Sequence, residues 1–182
     1  MLSPTEELFQ RALGLDDPWQ VIEITFSEEH QELNVYLDFE RGSRFKCPKC
    51  KQGGISCYDT KEKRWRHMDF FQHRTFLHCP APRVECPDCG VKLVDLPWAR
   101  PGSGFTLLFE ALIMTLAREM PVKALSRMIG EHDTRIWRVI QHYVADARSR
   151  EYYVDVHRVG IDETSRKRKF HNKSTFNTIY TS

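Results

Sequence analysis

Four of the six cysteines fall in two matched pairs, Cys47-Pro48-Lys49-Cys50 and Cys86-Pro87-Asp88-Cys89. A two-residue spacer lets both sulfurs of a tight turn face one ion, and two such knuckles supply the four thiolates of a tetrahedral zinc site. Proline inside each pair fixes a φ angle. Gly90, with Gly53 and Gly54 after the first pair, permits the chain to turn past the metal. The 35 residues between the pairs suit a zinc ribbon with a long hairpin between its knuckles. Zinc is therefore the expected structural cofactor. Its binding is worth roughly 10–16 kcal/mol in small modules, against about 5–15 kcal/mol of net stability for a whole domain, so this segment is expected to need metal to fold. Cys57 and Cys79 remain, near His67, His73 and His78. A second metal site can be drawn from them, but one buried and one surface thiol is the simpler reading.

The net charge of +2 hides a strong asymmetry: residues 1–40 carry −9 and residues 41–100 carry +7. An acidic head before a basic body points to a polyanion as the partner of the body. Within it, Arg64-Trp65-Arg66-His67 interleaves cations with an aromatic, and Arg64 and Arg66 are candidates to lie along phosphates; a solvated hairpin strand alternates in the same way. Six cysteines without an apolar leader behind positive charge argue against a signal peptide and a disulfide framework. The longest apolar tract, Phe105 to Ala117, contains Glu110 and is too short to span a bilayer. A soluble, cytoplasmic protein with no membrane partner is expected.

The elements that must hold these residues are legible in outline. Ser3, Pro4 and Glu6 make a capped helix start, with Leu8, Phe9, Ala12 and Leu13 as its apolar face and Gly14 at its end. Ile22, Ile24 and Phe26 then alternate, as do Leu33, Val35, Leu37 and Phe39, which predicts a hairpin turning at Ser27–Glu32. Beyond the second knuckle, Pro97, Pro101, Gly102 and Gly104 mark a connector. Phe105 to Met120 is apolar nearly all round and reads as the central helix of a small bundle. Pro121 opens a short helix over Val122–Ile129, which Gly130 ends. Asp133 caps a third helix whose Ile136, Ile140, Tyr143 and Ala147 share a face. A short helix, a three-residue turn with glycine and a longer helix match a helix-turn-helix. In that motif the start of the last helix enters the major groove, so Thr134, Arg135, Arg138 and His142 are the candidate DNA contacts, with arginine able to bond guanine bidentately. Trp137 flanks the apolar face and its side is left open.

Arg158-Val159-Gly160-Ile161 reads as a compact strand, and a carboxylate at its end, Asp162, can ligate magnesium. The order of acidic head, Cys-Pro-x-Cys knuckles and the Trp65-Arg66-His67-Met68-Asp69-Phe70-Phe71 run resembles bacterial insertion-sequence transposases of the ISL-three type. The run Val94 to Thr106, Leu116-Ala117-Arg118-Glu119-Met120-Pro121 and Val159-Gly160-Ile161-Asp162-Glu163-Thr164 fit the same family. The resemblance covers roughly residues 15–170.

It implies an α+β chain in three parts: residues 1–100, an N-terminal hairpin and four-cysteine zinc ribbon; residues 101–150, a helix-turn-helix DNA-binding domain; and residues 151–182, the first strand of an incomplete ribonuclease-H-like, DDE-type catalytic domain. It also implies double-stranded DNA, namely the terminal inverted repeats of the element, as partner. Asp162 takes the first of three acidic positions that hold magnesium for strand transfer. The second and third are missing here, so the chain is expected to bind DNA without cleaving or joining it. A stand-alone zinc-ribbon and helix-turn-helix regulator or transposition repressor is the alternative, and assembly of a homo-oligomer is a competing role for the ribbon.

Overall fold

The computed structural model describes residues 3–150, 160–162 and 178–180, which fall into two compact units, Met1–Ile140 and Gln141–Ser182. The first unit opens with α1 (Pro4–Ala12), capped as the sequence predicts. Ser3 Oγ accepts from the Glu6 amide and Glu6 Oε2 accepts from the Ser3 amide at 2.7 Å. The Gln10 side chain then fastens this helix to the next strand. Its amide nitrogen donates to the carbonyls of Leu15 and Trp19, and its oxygen accepts from the Val21 amide at 2.7 Å.

β1 (Trp19–Ser27) and β2 (Glu32–Phe39) form the expected hairpin. A bulge between Val21 and Glu23 shifts the alternation. Trp19 and Val21 are therefore the buried residues of β1, and Ile22 and Phe26, expected to share the inner face with Ile24, are exposed. The ribbon follows as β3 (Arg44–Phe45), β4 (Ile55–Phe70), β5 (His73–Cys86) and β6 (Gly90–Leu93). β4 and β5 are the long hairpin between the knuckles that the cysteine spacing requires. The sheet runs β1-β2-β5-β4-β3, with β6 also on β5. β2 pairs parallel to β5, Glu32–Tyr36 against Arg74–His78, so the acidic hairpin extends the ribbon's sheet.

Its core is aromatic. Trp19 meets the edge of Trp98 at 4.9 Å, Trp98 meets Trp65 at 5.7 Å, and Phe39 and Phe45 close around Trp19. Val21, Val35, Leu37, Leu77, Cys79 and Val84 fill the rest, all with no exposed surface.

Three helices follow: α2 (Leu107–Glu119), α3 (Val122–Ile129) and α4 (Asp133–Arg150). The sequence predicts α2 as an all-round apolar central helix. Instead it buries one face, through Phe109, Glu110 and Ile113, and leaves Leu107 and Leu108 exposed. α3 buries Leu125 and Ile129, and α4 buries Ile136 and Val139. Gly130, at φ 67°, makes the left-handed cap that ends α3. Ala147, placed on the inner face of α4 by periodicity, is exposed.

α4 runs from the first unit into the second. The second unit also holds β7 (Gly160–Asp162) paired antiparallel to β8 (Thr178–Tyr180). The chain is thus α+β, strands and ribbon before helices. Arg158, Val159 and Glu163 lie outside the described residues. No helix among the described residues is long and apolar enough to cross a membrane.

Candidate metal centre and nucleic-acid interface

The two knuckles bring Cys47, Cys50, Cys86 and Cys89 together, their sulfurs all within 4.8 Å of one another. Cys50 and Cys86 are 3.5 Å apart. Four sulfurs at about 2.3 Å from a tetrahedral zinc stand about 3.8 Å apart, so the cluster fits that ion. Backbone amides prepare it. The Cys50 amide, and less strongly that of Lys49, bonds to the Cys47 sulfur and lowers its pKa to about 7, whereas burial first and the neighbouring thiols second push Cys89 up to about 12. A cation is what allows all four to ionise together.

The turn past the metal has a feature the sequence reading misplaces. In the first knuckle the left-handed residue directly after the second cysteine is Lys51, at φ 63°; Gly53 is not left-handed, and Gly54 is, at φ 75°. The equivalent residue of the second knuckle is Gly90, at φ 69°. Both knuckles need the same backbone, and only one uses glycine for it. The Lys51 ammonium reaches Asp95, 3.0 Å away just past β6, which ties the first knuckle to the strand leaving the second.

Of the leftover cysteines, Cys79 is fully buried and Cys57 partly so. The nearby histidines have other partners: His67 meets Thr106, His78 meets Asn34 and stacks on Tyr36, and His73 meets Phe26 edge-on. The four-cysteine group is the one metal-ligating cluster found among the described residues.

The candidate DNA contacts separate into bound and free. Arg64 is half exposed, ion-paired to Glu32 at 2.7 Å and lying 3.4 Å over the Phe76 ring. Arg66 corrects the expectation outright. It is 1% exposed, because the connector to the helices crosses β4 at this point. The Arg66 amide donates to Gly104 and its carbonyl accepts from Thr106, at 2.9 and 3.0 Å. Its guanidinium bonds Asp69 and the carbonyls of His67 and Thr75, stands 3.6 Å from Glu131, and faces the Phe109 ring at 4.8 Å. Arg66 therefore joins the ribbon to the helices and presents nothing to a phosphate. His67 beside it is held neutral, its pKa lowered to about 4 by burial and then by the Arg66 charge.

On α4, Arg135 is ion-paired to Glu131 and lies 4.1 Å over Phe105. Thr134 and Arg138 are exposed, and Arg138 has no ion pair among the described residues. Trp137 turns outward, 45% exposed. His142 is exposed, on the part of α4 that belongs to the second unit. Asp162 is the last residue of β7, and only its backbone is described.

Sequence reasoning missed the acidic side chains that organise this region. Glu131 sits between Arg66 and Arg135. Glu110, fully buried, accepts from Arg100 Nε at 2.8 Å and Ser103 Oγ at 2.6 Å, closing the connector loop over α2. The one signal was a carboxylate inside an apolar tract.

Comparison with known proteins agrees with this geometry. Residues 43–89 match the zinc-finger of transposases IS204/IS1001/IS1096/IS1165, and residues 94–144 match the helix-turn-helix domain of transposase family ISL3. The chain is 29% identical over 168 residues to the transposase for insertion sequence element IS1557 in two strains of Mycobacterium tuberculosis, CDC 1551 / Oshkosh and ATCC 25618 / H37Rv. The match covers 88% of this chain and 38% of those relatives' length. No solved structure matches significantly. These relatives favour a transposase over the stand-alone regulator.

Proposed function

We propose that the chain, whose zinc ribbon and helix-turn-helix match those of the ISL3-type transposases, recognises the terminal inverted repeats of its element as duplex DNA. The observation that carries this reading is the free face at the start of α4. There Thr134 and Arg138 are exposed on the side of α4 away from the buried Ile136 and Val139; the Thr134 hydroxyl meets His132, and the Arg138 guanidinium has no ion pair among the described residues. A helix presented in this way fits the major groove, where arginine bonds the O6 and N7 of guanine. Arg135 steadies the start of the helix through Glu131 and Phe105, His142 follows Arg138 by one turn on the same side of α4, and Arg64 contributes from the ribbon.

In the same proposal this chain binds those ends without cutting or joining them. Asp162 at the end of β7 marks the first acidic position of the ribonuclease-H-like domain that the resemblance implies, where magnesium would sit for the full-length family's strand transfer, and the chain works in the cytoplasm where its DNA is.

The test is Arg138→Ala, measured on duplexes carrying the element's own ends and on duplexes of random sequence. A base contact costs about 1–3 kcal/mol on the cognate ends alone. An equal loss on both duplexes makes Arg138 a phosphate contact, and no loss on either removes α4 as the reading element.

A further inference from the structure

Residues 41–58 hold five cations, Arg41, Arg44, Lys46, Lys49 and Lys51, and no acidic residue. All five are exposed. The fold takes up two: Lys51 pairs with Asp95, and Arg44 donates to the Gly54 carbonyl. Arg41, Lys46 and Lys49 form no ion pair among the described residues. The arginines further along the hairpin are in the opposite situation: Arg64 and Arg74 share Glu32, Arg83 holds Asp59, and Arg66 is buried. Lys61, Lys63 and Lys92 form no ion pair among the described residues either, but Asp59 and Glu62 stand among the first two in sequence. The second knuckle differs again, since Glu85 and Asp88 flank its cysteines. The first knuckle is thus the part of the ribbon whose unpaired cations have no acidic residue among them in sequence.

We infer that the first zinc knuckle is a phosphate-backbone contact for duplex DNA, through Arg41, Lys46 and Lys49, alongside Arg64 and in place of the buried Arg66. This rests on the DNA-binding reading above and adds where the ribbon touches the duplex. Three cations without carboxylate partners suit a polyanion. Lys46 and Lys49 lie on or beside a turn whose backbone a bound metal would fix, and Arg41 lies in the turn that leads into β3, so they are presented without first having to be ordered. Duplex DNA is the occupant because α4, in the same chain, offers a face for the same polymer. The competing role for these cations is to offset the −2 charge of a four-thiolate zinc.

The test measures affinity for a short duplex of random sequence as salt is raised, comparing the full zinc-loaded chain with the triple variant Arg41→Gln, Lys46→Gln, Lys49→Gln. Each lost phosphate contact reduces the slope of log K against log[salt] by about 0.9, so the triple variant is expected to lose roughly 2–3 from the slope. The charge-conserving set Arg41→Lys, Lys46→Arg, Lys49→Arg is expected to keep it. Zinc stoichiometry and metal competition, read on the same samples, are expected to stay unchanged, which shows that the knuckle is intact. An unchanged slope with weakened zinc retention assigns the cations to the metal and overturns the inference. If the unaltered chain binds the duplex and the triple variant binds it with the same slope and the same zinc, the inference falls and the α4 reading stands. If the unaltered chain ignores DNA altogether, both fall.

Discussion

The ribbon is locked at two places, and the locks differ in where their counter-charge comes from. At the knuckle end, four sulfurs converge within 4.8 Å and need a cation that the chain does not encode. At the crossing with the connector, the Arg66 guanidinium is met by Asp69, Glu131 and two backbone carbonyls, all from the chain itself. Concentrating charge in a folded interior is tolerable only with a partner of opposite sign. One lock is therefore conditional on metal, and the other closes whenever the chain folds.

The comparison breaks most sharply on metal removal. Stripping zinc is expected to abolish near-UV circular dichroism and resistance to proteolysis in the ribbon, since structural zinc contributes roughly 10–16 kcal/mol in modules of this kind. A chelated sample that keeps both signals would mean that the knuckle end holds itself together as the Arg66 side does. Arg66→Ala comes next. It leaves the His67 and Thr75 carbonyls without their guanidinium donor, while Arg135 stays paired to Glu131; leaving such buried acceptors unsatisfied costs about 1–3 kcal/mol, to be read as a lower urea midpoint with zinc stoichiometry retained. Loss of zinc along with stability would show that the two locks are one cooperative structure. The smallest effects sharpen the difference between the knuckles. Gly90→Ala forces a Cβ into the left-handed region and is expected to cost about 1–2 kcal/mol, whereas Lys51→Gly relieves that strain but gives up the Asp95 ion pair, so its net change is expected to stay within about 1 kcal/mol of zero. Thermal midpoints of zinc-loaded samples measure both. Equal and opposite shifts would make the knuckles interchangeable, which the cations of the first argue against.

The sequence made the metal end legible because its information is local. A spacing of two between cysteines, repeated, has few other uses, and the bounds of α3 follow from Pro121 and Gly130 in the same way. The Arg66 lock was illegible for the opposite reason. Alternation along β4 puts Arg64 and Arg66 on one face, and only the connector, some forty residues later, decides that the second is covered and the first is not. Ile22 is exposed because a bulge resets the alternation, and no residue type in Val21-Ile22-Glu23 announces one. α2 is apolar on more sides than the first unit buries, so hydropathy predicts its existence and misjudges its surroundings. Local chemistry was readable, and the choice of which charge is covered was not.

The parallel pairing of β2 with β5 sets an order on synthesis. The amino-terminal hairpin leaves the ribosome first, but its inner strand joins residues about forty positions downstream. Until His73–His78 emerges, the apolar side of β2 has no neighbour, and such long-range pairing closes slowly. The carboxylates crowding that segment then have a second use: they keep a waiting, half-dressed hairpin from sticking to its surroundings during the delay.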